Sequence, residues 1–306
     1  MIKHLGFVCC LLFLSTASLA DNAADDDAGL EDNMTYHLYD DVDLVSTLKF
    51  EYGKPRIVIK SVYPQLVSET EHEGVSTFND LSLVITQNAI ASFRAKVQEQ
   101  AHLQKKIAKD KITNNLYIDY NTSSVRARRE HIISIRFSMQ GYIAGNPHAF
   151  HKYYSLNYNL DENQQMQLSD LFIPGSNYLD ILSSYTRNEL ASRLNNQSLI
   201  NLGTMPNPEN FAIWNIKTNG LLITFDDNRV APRVYGAQTV LVPYTALAQV
   251  ISPESPLADC INHASRCLKN NVLTGGFIDE ASADLSRWGD PRGENRDSPL
   301  LVQAKA

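Results

Sequence analysis

The sequence predicts an α+β fold, with antiparallel sheets packed against one long and one medium helix. Three observations carry that expectation. Residues 131–143 and 151–160 alternate apolar and polar side chains at period two, the mark of antiparallel strands with one buried face. The stretch beginning at Ser76 places Phe78, Leu81, Ile85, Ala89, Phe93 and Val97 three and four residues apart, which makes one apolar helical face. The elements run strands, helix, meander, helix, hairpin, helix, without the strand–helix alternation of a doubly wound sheet.

The ends set the compartment. "MIKHLGFVCCLLFLSTASLA" has a short basic head, an apolar run from Leu5 to Leu14, and small residues at Ser18 and Ala20. It reads as a secretory signal peptide over 1–20, cleaved after Ala20, and its apolar run is far shorter than the ~20 residues of a spanning helix. A periplasmic or secreted location is expected, with no membrane span in the mature chain. The whole chain carries a formal charge of −7. Loss of Lys3 leaves 26 Lys and Arg against 34 Asp and Glu. That acidity argues against a nucleic-acid partner. Cys260 and Cys267 remain after cleavage and are expected to form a local disulfide.

Along the chain, 21–33 is an acidic leader without apolar period, expected to be disordered. Residues 34–160 form an N-terminal α+β region. Its first strands are broken at Gly53-Lys54-Pro55, and "RIVIKSVYPQL" is the clearest of them. The long helix follows, with Ser76 or Thr77 as cap. In the meander, Ile133, Ile135, Phe137 and Met139 share one face, while Ser134, Arg136 and Ser138 take the polar one. Residues 161–252 form a second α+β domain. Its helix is capped by Ser176 or Asn177, and Asn219-Gly220 signals a hairpin. Pro232, Gly236 and Pro243 then make a rigid arch between the last two strands: a fixed φ, a permitted bend and a strand end. Residues 253–306 read as a stapled segment and a mobile tail.

Catalytic motifs give no positive sign. The chain has no G-x-S-x-G and no H-E-x-x-H. His148 and His151, three apart on a strand, point to opposite faces and do not suit a shared metal. Asp226 and Asp227 in "FDDNR" fit turn chemistry better than a calcium loop. No catalytic residue, metal or cofactor is expected. The basic run Val125 to His131 reads as a solvated turn between strands.

"DLF", then a helix, then Phe211, Trp214 and "NGLLITFDDNRVAPRVYGAQTVLVPYTAL" resemble the C-terminal domain shared by the anti-sigma factor RsiV and the peptidoglycan deacetylase PdaC. The upstream "YPQL", long helix and "ISIRFSMQGYIAGNPHAFHKYYSLNYNL" resemble the region preceding that domain. The likeness runs from about residue 52 to residue 251. The family's Gly-Gly-Ala-His-Pro-like turn reads "AGNPHAF" here, with Pro and His in changed order. The resemblance implies a non-enzymatic envelope recognition protein whose partner is a c-type lysozyme or peptidoglycan fragments. A cell-wall hydrolase or esterase with an unrecognised site is the alternative. The expected binding surface is Gly145, Asn146, His148, His151 and Tyr153 together with Asp226, Asp227, Arg233 and Tyr235.

Overall fold

A computed structural model describes residues 35–262, apart from 40, 55, 109, 110 and 218. The expected signal peptide, acidic leader, C-terminal tail and Cys267 lie outside the described residues. So, therefore, does the expected disulfide pairing; Cys260 is buried in helix α6 (Ala258–Asn262).

Seven strands form one sheet in sequence order: β1 (Thr35–Tyr39), β2 (Val42–Gly53), β3 (Ile57–Ser68), β4 (Asn114–Ala127), β5 (Glu130–Tyr142), β6 (Phe150–Asn159) and β7 (Gln164–Gln165). The α+β class stands, but the sheet is mixed rather than wholly antiparallel. β3 and β4 run parallel because helices α1 (Glu73–Glu99) and α2 (Ala101–Gln104) carry the chain back between them. The basic run supplies the β4–β5 turn, with Arg128 and Arg129 both at positive φ.

Helix α1 differs from its sequence reading in two ways. It begins at Glu73, not at Ser76 or Thr77, and His72 precedes it without a side-chain capping bond. Packing sets this start: Gly74 lies so close to β6's end that a Cβ there would sit 2.5 Å from the Leu160 carbonyl oxygen. The buried stripe is Phe78, Ser82, Thr86, Ile90, Phe93 and Val97; Leu81, Ile85 and Ala89 pack only along its margin. Polar residues are tolerated there because each finds a partner. Ser82 Oγ donates to the Pro64 carbonyl at 2.7 Å, and Thr86 Oγ1 to that of Ser82 at 3.0 Å. Asn79 exchanges bonds with both backbone groups of Leu66. These contacts satisfy β3 beyond Ser61, where its ladder with β4 ends.

The remaining chain builds helices α3 (Tyr178–Arg193) and α4 (Gln197–Gly203), an antiparallel sheet of β8 (Trp214–Lys217), β9 (Gly220–Phe225) and β10 (Gln238–Pro243), and helix α5 (Tyr244–Leu247). β8 and β9 form the hairpin that Asn219-Gly220 signalled. A second core gathers Leu182, Leu190, Phe211, Trp214, Ile223 and Val240, separate from the core under α1.

The two sheets meet edge to face. β8 is the edge strand of the small sheet, and it lies across the polar face of β4, β5 and β6. Ser134 is the centre of this seam. Its hydroxyl donates to Asn157 Oδ1 at 2.6 Å and accepts from the Ile216 amide and from Asn215 Nδ2, both at 3.0 Å. Asn157 Nδ2 donates to the Trp214 carbonyl at 2.9 Å, and Ser123 Oγ donates to that of Ile216. The unpaired edge of β8 is therefore bonded by side chains instead of a further strand. Period two placed one face of the meander in the core, correctly, but the polar face is buried too: Ser134, Arg136 and Asn157 are each at most 2% exposed.

Ser134→Ala strips the acceptor from two buried donors and the donor from Asn157. It should lower the unfolding free energy by about 3 kcal/mol in urea titration. Ser155→Ala, which removes only the longer 3.3 Å bond to Ala212 and the 3.4 Å bond from Trp214, should cost under about 1 kcal/mol.

Candidate polar cleft between the sheets

Above the seam the sheets separate. The gap is a cleft of about 480 Å³. One wall is the start of β6, with Phe150, His151 and Lys152; the other is the arch leaving β9, with Asp226, Asp227, Asn228, Arg229 and Arg233. Glu209 and Asn210, on a short 3-10 turn before β8, also line it.

The arch is built as its sequence requires. Asn228 takes a left-handed conformation (φ 64°), and the Arg229 amide bonds the Asp226 carbonyl at 3.0 Å, closing a tight turn. Arg229 reaches Asn210 Oδ1. Pro232 then starts a single 3-10 turn over Arg233–Tyr235, which Gly236 ends at φ 66°. Asp226 ties the two walls together, since its Oδ1 accepts the Tyr153 amide at 3.0 Å from the outer edge of β6.

Behind the His151 wall, polar groups are stacked in a row. Tyr153's ring centroid lies 4.4 Å from that of His151, and the Arg136 guanidinium sits 5.2 Å from the Tyr153 centroid. Ser138 Oγ and His151 Nε2 are 2.8 Å apart. Burial, with the Arg136 charge second, pushes the His151 imidazole down to about 4. A serine beside a neutral imidazole resembles a nucleophile and its base. Here the other ring nitrogen faces the Tyr153 hydroxyl at 3.5 Å, and an imidazole so reluctant to take a proton is a poor base near neutrality.

The carboxylates across the cleft shift the opposite way. Burial raises Asp226, opposed by the Tyr153 amide and by Lys152 and Arg229. It raises Asp227 too, opposed by Arg233, whose Nε lies 4.0 Å from Asp227 Oδ2. Asp227 Oδ1 is buried and makes no hydrogen bond. The cleft thus offers two carboxylates and three cationic side chains, Lys152, Arg229 and Arg233.

Of the nine residues expected to bind, His151, Asp226, Asp227 and Arg233 line the cleft, and Tyr153 backs its wall. Gly145, Asn146, His148 and Tyr235 do not line it. Gly145 turns at φ 97°, where a Cβ would sit 3.0 Å from that of Leu103; His148 is exposed on the same turn, and Tyr235 is exposed in the 3-10 turn of the arch. Lys152, Glu209, Asn210 and Arg229 were missed. Lys152 and Arg229 stand beside expected residues, so adjacency could have found them; Glu209 and Asn210 reach the cleft only through the fold.

Residues 169–245 match the family described as "Protein of unknown function (DUF3298)". They include the arch but not the β6 wall. The chain is 25% identical over 144 residues to the peptidoglycan-N-acetylmuramic acid deacetylase PdaC of Bacillus subtilis, a match covering 46% of this chain and 30% of that enzyme. Among solved structures, a DUF3298 family member from Bacteroides fragilis superposes with a TM-score of 0.51 at 13% identity, covering 76% of this chain and 99% of that one. A second, from Pseudomonas aeruginosa, gives a TM-score of 0.40 at 13% identity, covering 71% and 95%. The resemblance expected from the sequence holds, and the Bacteroides structure shares the fold.

His151 makes the cleft pH-sensitive. Its folded value lies below the unfolded ~6.5, so above 6.5 it has no effect on stability. As pH falls from 6.5 toward 4, the unfolded chain takes a proton that the folded chain refuses. Stability is then lost at up to ~1.4 kcal/mol per pH unit. Asp226 and Asp227, both raised, act with the opposite sign: they add stability as pH falls through their folded values. Urea midpoints for His151→Gln should therefore fall less steeply between pH 6.5 and 4 than those of the wild type. Parallel curves would contradict the assignment.

Proposed function

We propose that the chain is an exported, non-enzymatic recognition protein of the cell envelope, whose cleft takes a peptidoglycan-derived fragment. The observation that carries this reading is the Asp227 carboxylate. Asp227 lines a cleft whose size suits a small ligand, across from the Lys152 wall and beside Arg233. The Asp226 and Asp227 carboxylates in its lining favour a ligand rich in N–H and O–H donors. Lys152, Arg229 and Arg233 favour one that also carries carboxylates. Amino sugars bearing short peptides combine both. The PdaC match supports the same chemistry, because that relative is a peptidoglycan enzyme by name. The depressed His151 base supports binding over hydrolysis.

A second reading takes a c-type lysozyme as the partner, and a different surface favours it. Val234 and Tyr235 are 87% and 61% exposed at the crest of the arch, and the chain carries a charge of −7. Exposed apolar and aromatic side chains suit a protein interface, and the charge suits a basic partner.

Calorimetric titration of residues 21–306 separates these readings. A disaccharide–tetrapeptide from peptidoglycan should bind saturably, and Asp227→Asn or Arg233→Ala should each weaken it about tenfold or more. Val234→Ala with Tyr235→Ala should leave that affinity unchanged. Binding of lysozyme alone, lost in the double variant, would support the second reading. Release of acetate or sugar during the titration would contradict both.

A further inference from the structure

The face of the large sheet that carries the His151 wall does not end at the cleft. Register places Phe50 opposite Lys60, Lys60 opposite Tyr117, Tyr117 opposite Gln140, and Gln140 opposite His151. Side chains of directly paired residues stand on one face, so these five form a single row across β2 to β6. At 4.7–4.9 Å per strand the row is about 19 Å long. It lies on the face away from α1, for the adjacent Glu51 points the other way and bonds Arg94 of that helix at 2.9 Å.

The row is accessible. Phe50 is 50% exposed, and Tyr52, two residues along the same strand face, is 74% exposed. Lys60, Tyr117, Gln140 and His151 are all partly exposed, whereas Leu116, Ile118, Met139 and Gly141 beside them are buried. The seam with β8 falls on Ser123, Ser134 and Asn157, several residues further along the strands, so the small sheet stops short of the row. Lys60 Nζ sits 5.3 Å from the Phe50 ring centroid, which holds a charge beside an exposed aromatic face.

We propose that this row is an extended subsite for a glycan strand, continuing the cleft across the sheet; the proposal rests on the reading of the cleft as a peptidoglycan-fragment site. Two features select this occupant. The row alternates ring faces with long polar side chains, and rings that are apolar on the face and polar at the tip suit sugar rings. Lys60 and Gln140 would meet carboxylate and acetamido groups. A peptide added as an extra strand would reach only the row's two ends, on the outer edges of β2 and β6; Lys60, Tyr117 and Gln140 lie on strands paired on both sides and would stay uncovered. An exposed aromatic patch joined to a polar cleft therefore fits a linear polymer that enters the cleft at one end.

Two probes in parallel calorimetric titrations test this: the peptidoglycan disaccharide–tetrapeptide and soluble uncross-linked glycan strands of the same polymer. Glycan strands should bind the wild type about tenfold or more tightly than the disaccharide. Phe50→Ala with Tyr52→Ala, two exposed positions, should abolish that gain and leave disaccharide affinity unchanged. Equal affinities in the wild type, or a gain that survives in the double variant, would overturn the subsite while the cleft reading stands. Failure of both probes on the wild type would overturn the cleft reading and the subsite together. A double variant that loses lysozyme binding but keeps the glycan gain would assign the face to a protein partner and overturn the proposal.

Discussion

The fold depends on how the edge of β8 is satisfied. An edge strand exposes alternate amides and carbonyls, and burying them unpaired costs about 1–3 kcal/mol each. Here the flat polar face of β4, β5 and β6 supplies the missing partners. The Ser134 hydroxyl uses its one proton and both lone pairs, on Asn157, Asn215 and Ile216. Remove that seam and the second core, which includes Trp214 and Ile216 of β8, loses its seat on the large sheet.

The cleft follows from the seam. β8 fixes β9, and β9 delivers the arch to the outer edge of β6. Arg136 binds both sides of this join, donating to Thr224 Oγ1 on β9 at 3.3 Å and to Asn121 Oδ1 on β4 at 3.2 Å. Asp226 completes the closure by accepting the Tyr153 amide, which covers part of an otherwise open edge. One carboxylate is thereby spent on structure. Its neighbour Asp227 lines the cleft without making such a tie across it, and keeps one buried oxygen unbonded.

Much of this was legible in the sequence, and the rest was hidden for physical reasons. Period two identified the meander and its apolar face at Ile133, Ile135 and Phe137, because burial beneath a helix demands that alternation. The same period marked Ser134 and Arg136 as polar without saying what covers them; periodicity reports side-chain character, not the partner. In α1, Leu81, Ile85 and Ala89 were read as core because they are apolar. The structure buries Ser82, Thr86 and Ile90, since hydroxyls that bond a strand carbonyl or the preceding turn can occupy the interior. The arch was legible from Pro232 and Gly236, whose backbone restrictions act locally. Its facing wall at His151 was legible only through the family resemblance, and Glu209 and Asn210 were not legible at all, because their approach is set by long-range packing.

The central claim is that the gap between arch and β6 wall is where this protein meets its ligand. The most direct measurement is amide chemical-shift mapping of the labelled protein as the peptidoglycan disaccharide–tetrapeptide is added. The account predicts saturable shifts concentrated at Phe150 to Tyr153, Glu209 to Asn210 and Asp226 to Arg233, with helix α3 and the β4–β5 turn undisturbed. Shifts confined to those undisturbed elements, or to the crest at Val234 and Tyr235, would contradict it.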